Sequence, residues 1–542
     1  MHSQAYDVVI VGGGSGGCVV ASFLAEHTEA SIALIEAGAS DYDPFIHIPA
    51  GFAKMLAHDR HVWTYETVPQ FGTKRAFRSG KVLGGGSSVN AMAYVRGQPR
   101  DFAGWQAAVG DTGKWSYEDL LPVFKAQESN DFFHDEFHGV DGGLSVEQPK
   151  GINKLNQYCL KAFQEYGVPF NPDYNGKSQI GVSPVQSTIG NSKRCSAVDA
   201  HLRPHLASGR VTVLTDTTVT RVLIEHGRAI GVELAGNDRK RILAKQVVLS
   251  AGAVHSPKIL MHSGIGPAEH LREHGIGVIV DSPEVGENLH DHPLIPVRAY
   301  VKDDLGYQAA SMGLGTVKAG LRYLATKDGP AAGSGIETVS YWTPSDFSAE
   351  PTIQCFHAPI IATQGLAPTG ERSGITFELV VLQPKSRGWV RLADGDPTSM
   401  PLINPNFLGH EYDLRTAVES VRAIREVMTQ PSLSAVIEEE LSPGPAVQTD
   451  DEIVEYVKQS VTTMWHPVGT CRMGQDDRAV VDARLRVRGV DGLRVIDASI
   501  MPNITSGNTN APTQALARHA AAMLAEDLSA GQTPRLQMEE AD

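Results

Sequence analysis

Val8-Val9-Ile10-Val11 is a continuous β-branched run that breaks straight into glycine at Gly12. A short apolar run bounded in this way reads as a buried strand. From Cys18 to Glu26 the apolar residues recur at helical spacing, and Ser31 to Ile35 is a second apolar run ending in Glu36. The order is strand, glycine turn, helix, strand, acid. Further along, Val211 to Leu214, Thr218 to Ile224 and Ile230 to Leu234 alternate like an antiparallel ribbon. Val247 to Gly252 reads as a buried strand ending in glycine, Ser256-Pro257 opens a helix, and Ser263 to Gly266 closes it. Between about 306 and 464 the pattern changes. Alternating strands such as Ile375 to Leu382 and Gly388 to Leu392 flank one clear helix, Glu411 to Met428, with Leu414, Val418, Val421, Ile424 and Val427 on one face. This stretch reads as a second domain built over the first.

The first unit carries chemistry. Gly12-x-Gly14-Ser15-x-Gly17 sits between strand and helix. The first glycine makes the tight turn, the second lets backbone N–H groups reach a pyrophosphate, and the third lets the helix pack on the strand. The helix N-terminus then faces the phosphates. Glu36, at the end of the second strand, is placed to accept from ribose hydroxyls. The expectation is a bound dinucleotide, and this motif alone does not separate NAD from FAD. A second glycine cluster, Gly80 to Met92, contains Val82, Leu83, Val89, Ala91 and Met92 and is too apolar for a solvated linker. It reads as a backbone-lined site against a flat cofactor.

Composition narrows the field. Glycine is the unusual count, 54 of 542 residues, and it is clustered where backbone must approach something closely. The 47 basic and 62 acidic residues give a net charge of −15, which argues against nucleic acid as a partner. The five cysteines are sparse and include no CxxC pair, so reduced thiols are expected rather than disulfides or a structural zinc site. His290-Asp291-His292 places two histidines at i and i+2 with no further partners, which is weak for a metal, and no metal is expected. The first apolar run is a strand and not a signal peptide, and no stretch has the roughly 18 apolar residues of a membrane helix. A cytoplasmic protein is expected, with peripheral membrane attachment open. The tail beyond about Ala530 reads as frayed.

Two C-terminal segments complete the pattern: Met464-Trp465-His466-Pro467 running to Gly474, and Leu493 to Asp497 followed by Gly507-Asn508-Thr509-Asn510-Ala511-Pro512-Thr513. With the glycine turn, Glu36, Gly80 to Met92, Gly252 to Gly266 and Val285 to His292, the chain resembles the glucose–methanol–choline oxidoreductases along nearly its whole length. Ile46 to Phe52 and Arg194-Cys195-Ser196 make it look most like the bacterial alcohol, choline and sorbose dehydrogenases. The resemblance implies an α/β fold in which a Rossmann-like FAD-binding domain (1–150, 209–305 and 465–535) is interleaved with an antiparallel-sheet substrate domain (151–208 and 306–464). It implies FAD as the cofactor, held by Gly12, Gly14, Ser15, Gly17 and Glu36. Val82, Gly86, Ser87, Asn90, Ala91 and Met92 would add to that site, as would Val219, Asp497, Ala498, Asn508, Thr509 and Thr513. It implies His466 as catalytic base and Asn510 as the second member of the active-site pair. Some members link FAD through a histidine where this chain has Val89, so non-covalent FAD is expected. The implied substrate is a small alcohol, and the electron acceptor is open among oxygen, a quinone and a carrier. A flavin-containing lyase acting on a cyanohydrin is the alternative within the family, and a flavin-binding scaffold or sensor the non-enzymatic one.

Overall fold

A computed structural model of the chain describes residues 5–236, 240–362, 368–370 and 372–530. The expected frayed tail lies outside the described residues. The expected units form where the periodicity placed them. The strand Ala5–Val11 leads through the glycine turn into the helix Ser15–His27 and the strand Ile32–Ile35. Val8, Val9 and Ile10 are fully buried, as are all four residues of Ile32–Ile35 in class. Two-sided burial explains why both runs are continuously apolar rather than alternating.

These strands belong to a sheet ordered Val211–Leu214, Ile32–Ile35, Ala5–Val11, Arg241–Leu249, Arg228–Leu234, Val219–Glu225. The first four are parallel neighbours, and Leu493–Val495 adds a fifth parallel strand along the C-terminal half of Arg241–Leu249. Only Val219–Glu225 and Arg228–Leu234 form the antiparallel ribbon; Val211–Leu214, expected in it, instead pairs with Ile32–Ile35 in parallel. The parallel strands point their C-terminal ends at one crevice, where ligands bind in open α/β sheets.

The second sheet is antiparallel, ordered Ile437–Ser442, Pro293–Val301, Gly374–Val381, Ile353–Ala358, Thr338–Trp342, Gly181–Pro184. The helices Lys154–Tyr166 and Glu411–Met428 cover it, their apolar faces sharing one core with Val297, Phe377 and Leu379. Pro293–Val301 is an internal strand of this sheet. A third cluster, including Ile46, Phe52, Met92, Tyr341 and Phe356, joins the two domains. All five cysteines are buried and unpaired.

The helix expected to open at Ser256-Pro257 starts four residues earlier and spans Gly252–His262, with Pro257 inside it. Proline there cannot donate to the carbonyl one turn back. That carbonyl, on Ala253, takes its hydrogen bond from Thr470 Oγ1 at 2.7 Å. At the start of the helix, Asp497 accepts from Gly252 N at 2.9 Å and from Ser256 Oγ at 2.5 Å. Tertiary partners thus satisfy what the local sequence leaves open.

Candidate active site

The two glycine clusters meet. Gly84 N donates to Gly13 O at 2.6 Å, and a Cβ on Gly85 would lie 2.7 Å from Gly14 Cα. Gly85 must therefore be glycine, whereas a Cβ on Gly14 would remain 3.9 Å from Gly85 Cα. Gly12 has φ +102°, and a Cβ there would sit 2.4 Å from Ser250 O. A Cβ on Gly17 would lie 1.9 Å from Gly12 O, so Gly17 is needed for helix-to-turn packing. Glu36 accepts from Gly13 N (2.9 Å) and Gly38 N (2.7 Å), and its burial pushes the carboxyl up to about 7. Each carboxylate oxygen keeps a lone pair for a ribose hydroxyl.

From this junction a cavity of about 510 Å³ runs to His466. Its lining includes Gly12, Gly14, Ser15 and Glu36, then Gly86, Asn90, Ala91, Met92 and Val219, and also Asp497, Ala498, Asn508, Thr509, Asn510 and Thr513. A Cβ on Gly86 or on Gly252 would meet nothing within 4 Å: both leave room that a flat ligand can fill. Three expected cofactor residues are not on this wall. Val82 is buried in the core joining the domains, Gly17 packs the helix, and Ser87 spends its hydroxyl on Gly84 O (2.6 Å) and on accepting from Ala197 N. Arg194 was missed as a site organiser: buried, it donates to Ile46 O, Ser87 O and the Asn90 side chain, tying together the two segments that marked the family branch. Trp63 and Trp465 both line the cavity.

His466 is presented by a strained turn. Trp465 before it has φ +58°, a left-handed conformation that costs a bulky residue about 1–3 kcal/mol. Asp291 offsets that cost: one carboxylate oxygen accepts from His466 N at 2.9 Å and the other from Thr463 Oγ1. Burial raises the Asp291 carboxyl to about 7.

Side-chain hydrogen bonds assign the His466 tautomer. His292 Nε2 lies 3.1 Å from Leu382 O, which can only accept, so that nitrogen carries the proton. Burial holds the His292 imidazole down at about 4, so the ring is neutral and its Nδ1 is bare. His466 Nδ1, 2.9 Å away, must donate to it. His466 is itself neutral, held well below the usual histidine range by burial and then by His292. Its Nε2 therefore carries a free lone pair, which accepts from Asn508 Nδ2 at 3.1 Å. Asn508 is oriented in turn by Gln354 Nε2, which donates to its carbonyl oxygen at 3.2 Å.

The expected pair is corrected here. Asn508, not Asn510, meets His466. Asn510 is the first residue of the helix Asn510–Ser529, and its Oδ1 accepts from Ser15 Oγ at 2.9 Å, at the glycine turn. Asn510 thus stands with the expected cofactor residues. His292, weighed from sequence only as a weak metal ligand, is brought against His466 from 174 residues away. His290 turns elsewhere, to Asn288 at 3.1 Å, so the His-x-His segment does not converge.

The cavity is also lined by Phe52, Leu56, Ile336, Phe356 and Met464, with Glu378 as a buried acid. Burial pushes the Glu378 carboxyl up to about 7.

The family model described as GMC oxidoreductase matches residues 6–294, and its C-terminal counterpart matches 384–517. An alcohol dehydrogenase [acceptor] of Pseudomonas putida is 37% identical over 530 residues, covering 96% of this chain and 95% of the relative. An oxygen-dependent choline dehydrogenase of Brucella anthropi is 36% identical, with 94% and 93% covered. Among solved structures, pyridoxine 4-oxidase from Mesorbium loti superposes with a TM-score of 0.87 at 32% identity, covering 95% of this chain and 98% of that one. A formate oxidase superposes at 0.90 and 26% identity, with 98% and 100% covered. Two glycine loops locked together, a cavity leading from them to a histidine, and this likeness along the whole chain place the protein in the GMC oxidoreductase family, a family of enzymes.

Proposed function

We propose that this chain binds FAD without a covalent link and oxidises a primary or secondary alcohol to the aldehyde or ketone. The observation that carries the reading is the His466–Asn508 pair, in which the unprotonated Nε2 accepts from the amide Nδ2 and both residues line the cavity. The glycine turn, Ser15, Glu36 and the space beside Gly86 and Gly252 suit a dinucleotide with a flat ring. When bound, FAD supplies the acceptor for the hydride that leaves the alcohol carbon.

The protein's part is to take the proton and hold the oxygen. His466 Nε2 is the acceptor for the hydroxyl proton, because its other nitrogen is committed to His292. Asn508 Nδ2 donates to the same oxygen and stabilises the charge that grows there as the proton leaves. Asp291 fixes the turn, and the apolar wall excludes water around the reacting bonds. The relatives named alcohol and choline dehydrogenase support this reaction class. A panel of alcohols mixed anaerobically with the purified enzyme tests it: the flavin absorbance should bleach with at least one, and a dye-reduction assay beside a peroxide assay then identifies the acceptor class. No bleaching with any alcohol would remove the reading.

The two asparagines separate binding from chemistry. Asn508→Ala should slow flavin reduction and weaken alcohol binding, one hydrogen bond contributing about 1 kcal/mol net. Asn508→Asp should do worse, since it sets an anion where alkoxide charge develops. Asn510→Ala should leave the rate of flavin reduction near wild type and loosen the cofactor. Stopped-flow reduction of the three variants decides; an Asn510→Ala protein with full flavin and slow reduction would reverse the assignment.

Val89 lines the cavity and carries no nucleophilic atom. Acid precipitation should therefore release all the flavin into the supernatant. Flavin remaining with the pellet would contradict the non-covalent reading.

A further inference from the structure

The helix Gly313–Thr326 presents an apolar stripe to solvent. Leu314 is 87% exposed, Val317 57%, Leu321 62% and Leu324 65%, whereas Tyr323 on the opposite face is 3% exposed. At about 100° per residue these four side chains fall within one stripe roughly 80° wide. Single exposed apolar side chains are ordinary, but four in register on one helix are a contiguous patch that soluble surfaces rarely leave bare.

The helix contains Lys318 and Arg322 on one flank of the stripe and no Asp or Glu, and Lys327 follows it. Arg322 is paired with Asp328 and Lys327 Nζ lies over the Tyr323 ring at 4.5 Å, while Lys318 stands exposed. Tyr323 anchors the helix by donating to Ser192 O at 2.9 Å, which sets exposed Lys193 at its base; Lys150, which reaches the Ser192 hydroxyl at 3.1 Å, is paired with Glu147 at 3.9 Å. This is a cationic region on a chain whose net charge is −15.

We propose that Gly313–Thr326 is an interfacial helix that docks the protein on an anionic lipid surface. Its leucine stripe would enter the boundary between headgroups and acyl chains while the lysines meet lipid phosphates. A second copy of this chain is a poorer occupant: two-fold antiparallel pairing of the stripes would set Lys318 and Arg322 beside their own counterparts, like charge against like. No helix among the described residues is long and apolar enough to cross a membrane, so attachment would lie along the surface. The short turn Pro330–Ala332 follows the helix, and Ser334 and Ile336 just beyond it line the cavity. The docked face is then next to the wall of the active-site cavity.

The test uses the purified, flavin-loaded full chain and sedimentation with vesicles of pure phosphatidylcholine or of phosphatidylcholine with 30% phosphatidylglycerol. Wild type should sediment with the anionic vesicles, at least tenfold more strongly than with neutral ones, and rising salt should weaken it. Leu321→Gln/Leu324→Gln and Lys318→Glu/Lys327→Glu should each lose at least tenfold in binding. Both should keep wild-type turnover of a soluble alcohol, since none of these side chains reaches the cavity. Light scattering is read alongside. No binding to anionic vesicles, equal binding to both kinds, binding indifferent to the leucine variant, or a wild-type dimer that the leucine variant splits without any lipid binding would each overturn the proposal.

Discussion

His466→Ala should lower turnover by about 100-fold or more, the scale of losing a positioned general base, while the flavin stays bound. Flavin retention is expected because the groups that would hold the dinucleotide, the glycine turn and Glu36, hydrogen-bond one another, whereas His466 bonds to His292 and Asn508. The pH dependence carries the finer test. Burial holds His466 well below the usual histidine range, so the base form should persist through neutral pH. The rate of flavin reduction should be flat above about pH 6.5, the ordinary histidine value, and fall only on the acid side as His466 gains its proton. His292→Leu should give a rate between wild type and His466→Ala. It removes the acceptor that keeps the proton on His466 Nδ1, leaving that N–H buried and unpaired and freeing the ring to adopt the wrong tautomer. Anaerobic stopped-flow across pH for the three proteins checks this. A His466→Ala enzyme that reduces its flavin at the wild-type rate would remove His466 from the chemistry.

Gly12→Ala should cost the protein both stability and cofactor. The residue sits at φ +102°, where an L side chain is strained, and its Cβ would be 2.4 Å from a backbone oxygen that cannot swing away. Strain and overpacking together should destabilise by roughly 3 kcal/mol or more. The turn itself is displaced, so the flavin content of the purified protein should drop sharply. Gly227→Ala is the control: φ is +75° there too, but nothing lies within 4 Å of the added Cβ. It should cost only about 1 kcal/mol and keep a full complement of flavin. Thermal unfolding and the flavin-to-protein absorbance ratio read both variants. A Gly12→Ala protein matching wild type in each would show that the turn has room the geometry denies.

Much of the dinucleotide-binding unit could be read from sequence because its determinants are close together. Four β-branched residues, three glycines at fixed spacing and a helical run specify strand, turn and helix through bonds made within about 30 residues. The helix Glu411–Met428 was equally clear, since a face of five apolar residues at helical spacing has one way to be buried. Pattern misjudged the places where a distant partner changes the answer. Val211–Leu214 alternates, yet it lies beside Ile32–Ile35 because that edge was free. Pro257 looked like a helix start because the threonine that compensates for it is 217 residues from the carbonyl it serves.

The candidate site divides along the same line. His466 was identifiable from its motif, and so was the run from Asn508 to Asn510, because the chain carries them in recognisable local contexts. Which asparagine faces the histidine was not identifiable. Both are amides two residues apart, and the choice depends on where the backbone turns into the helix that starts at Asn510. The partnership of His292 with His466 had no local mark at all: a histidine in a loop becomes an acceptor for another ring only when Leu382 O claims its far nitrogen. Periodicity and spacing specify elements because backbone hydrogen bonds and one-sided burial are short-range. A tautomer, an orphan carbonyl or the aim of an amide depends on atoms that only the packed sheets bring within 3 Å or so, and those the tertiary structure alone decided.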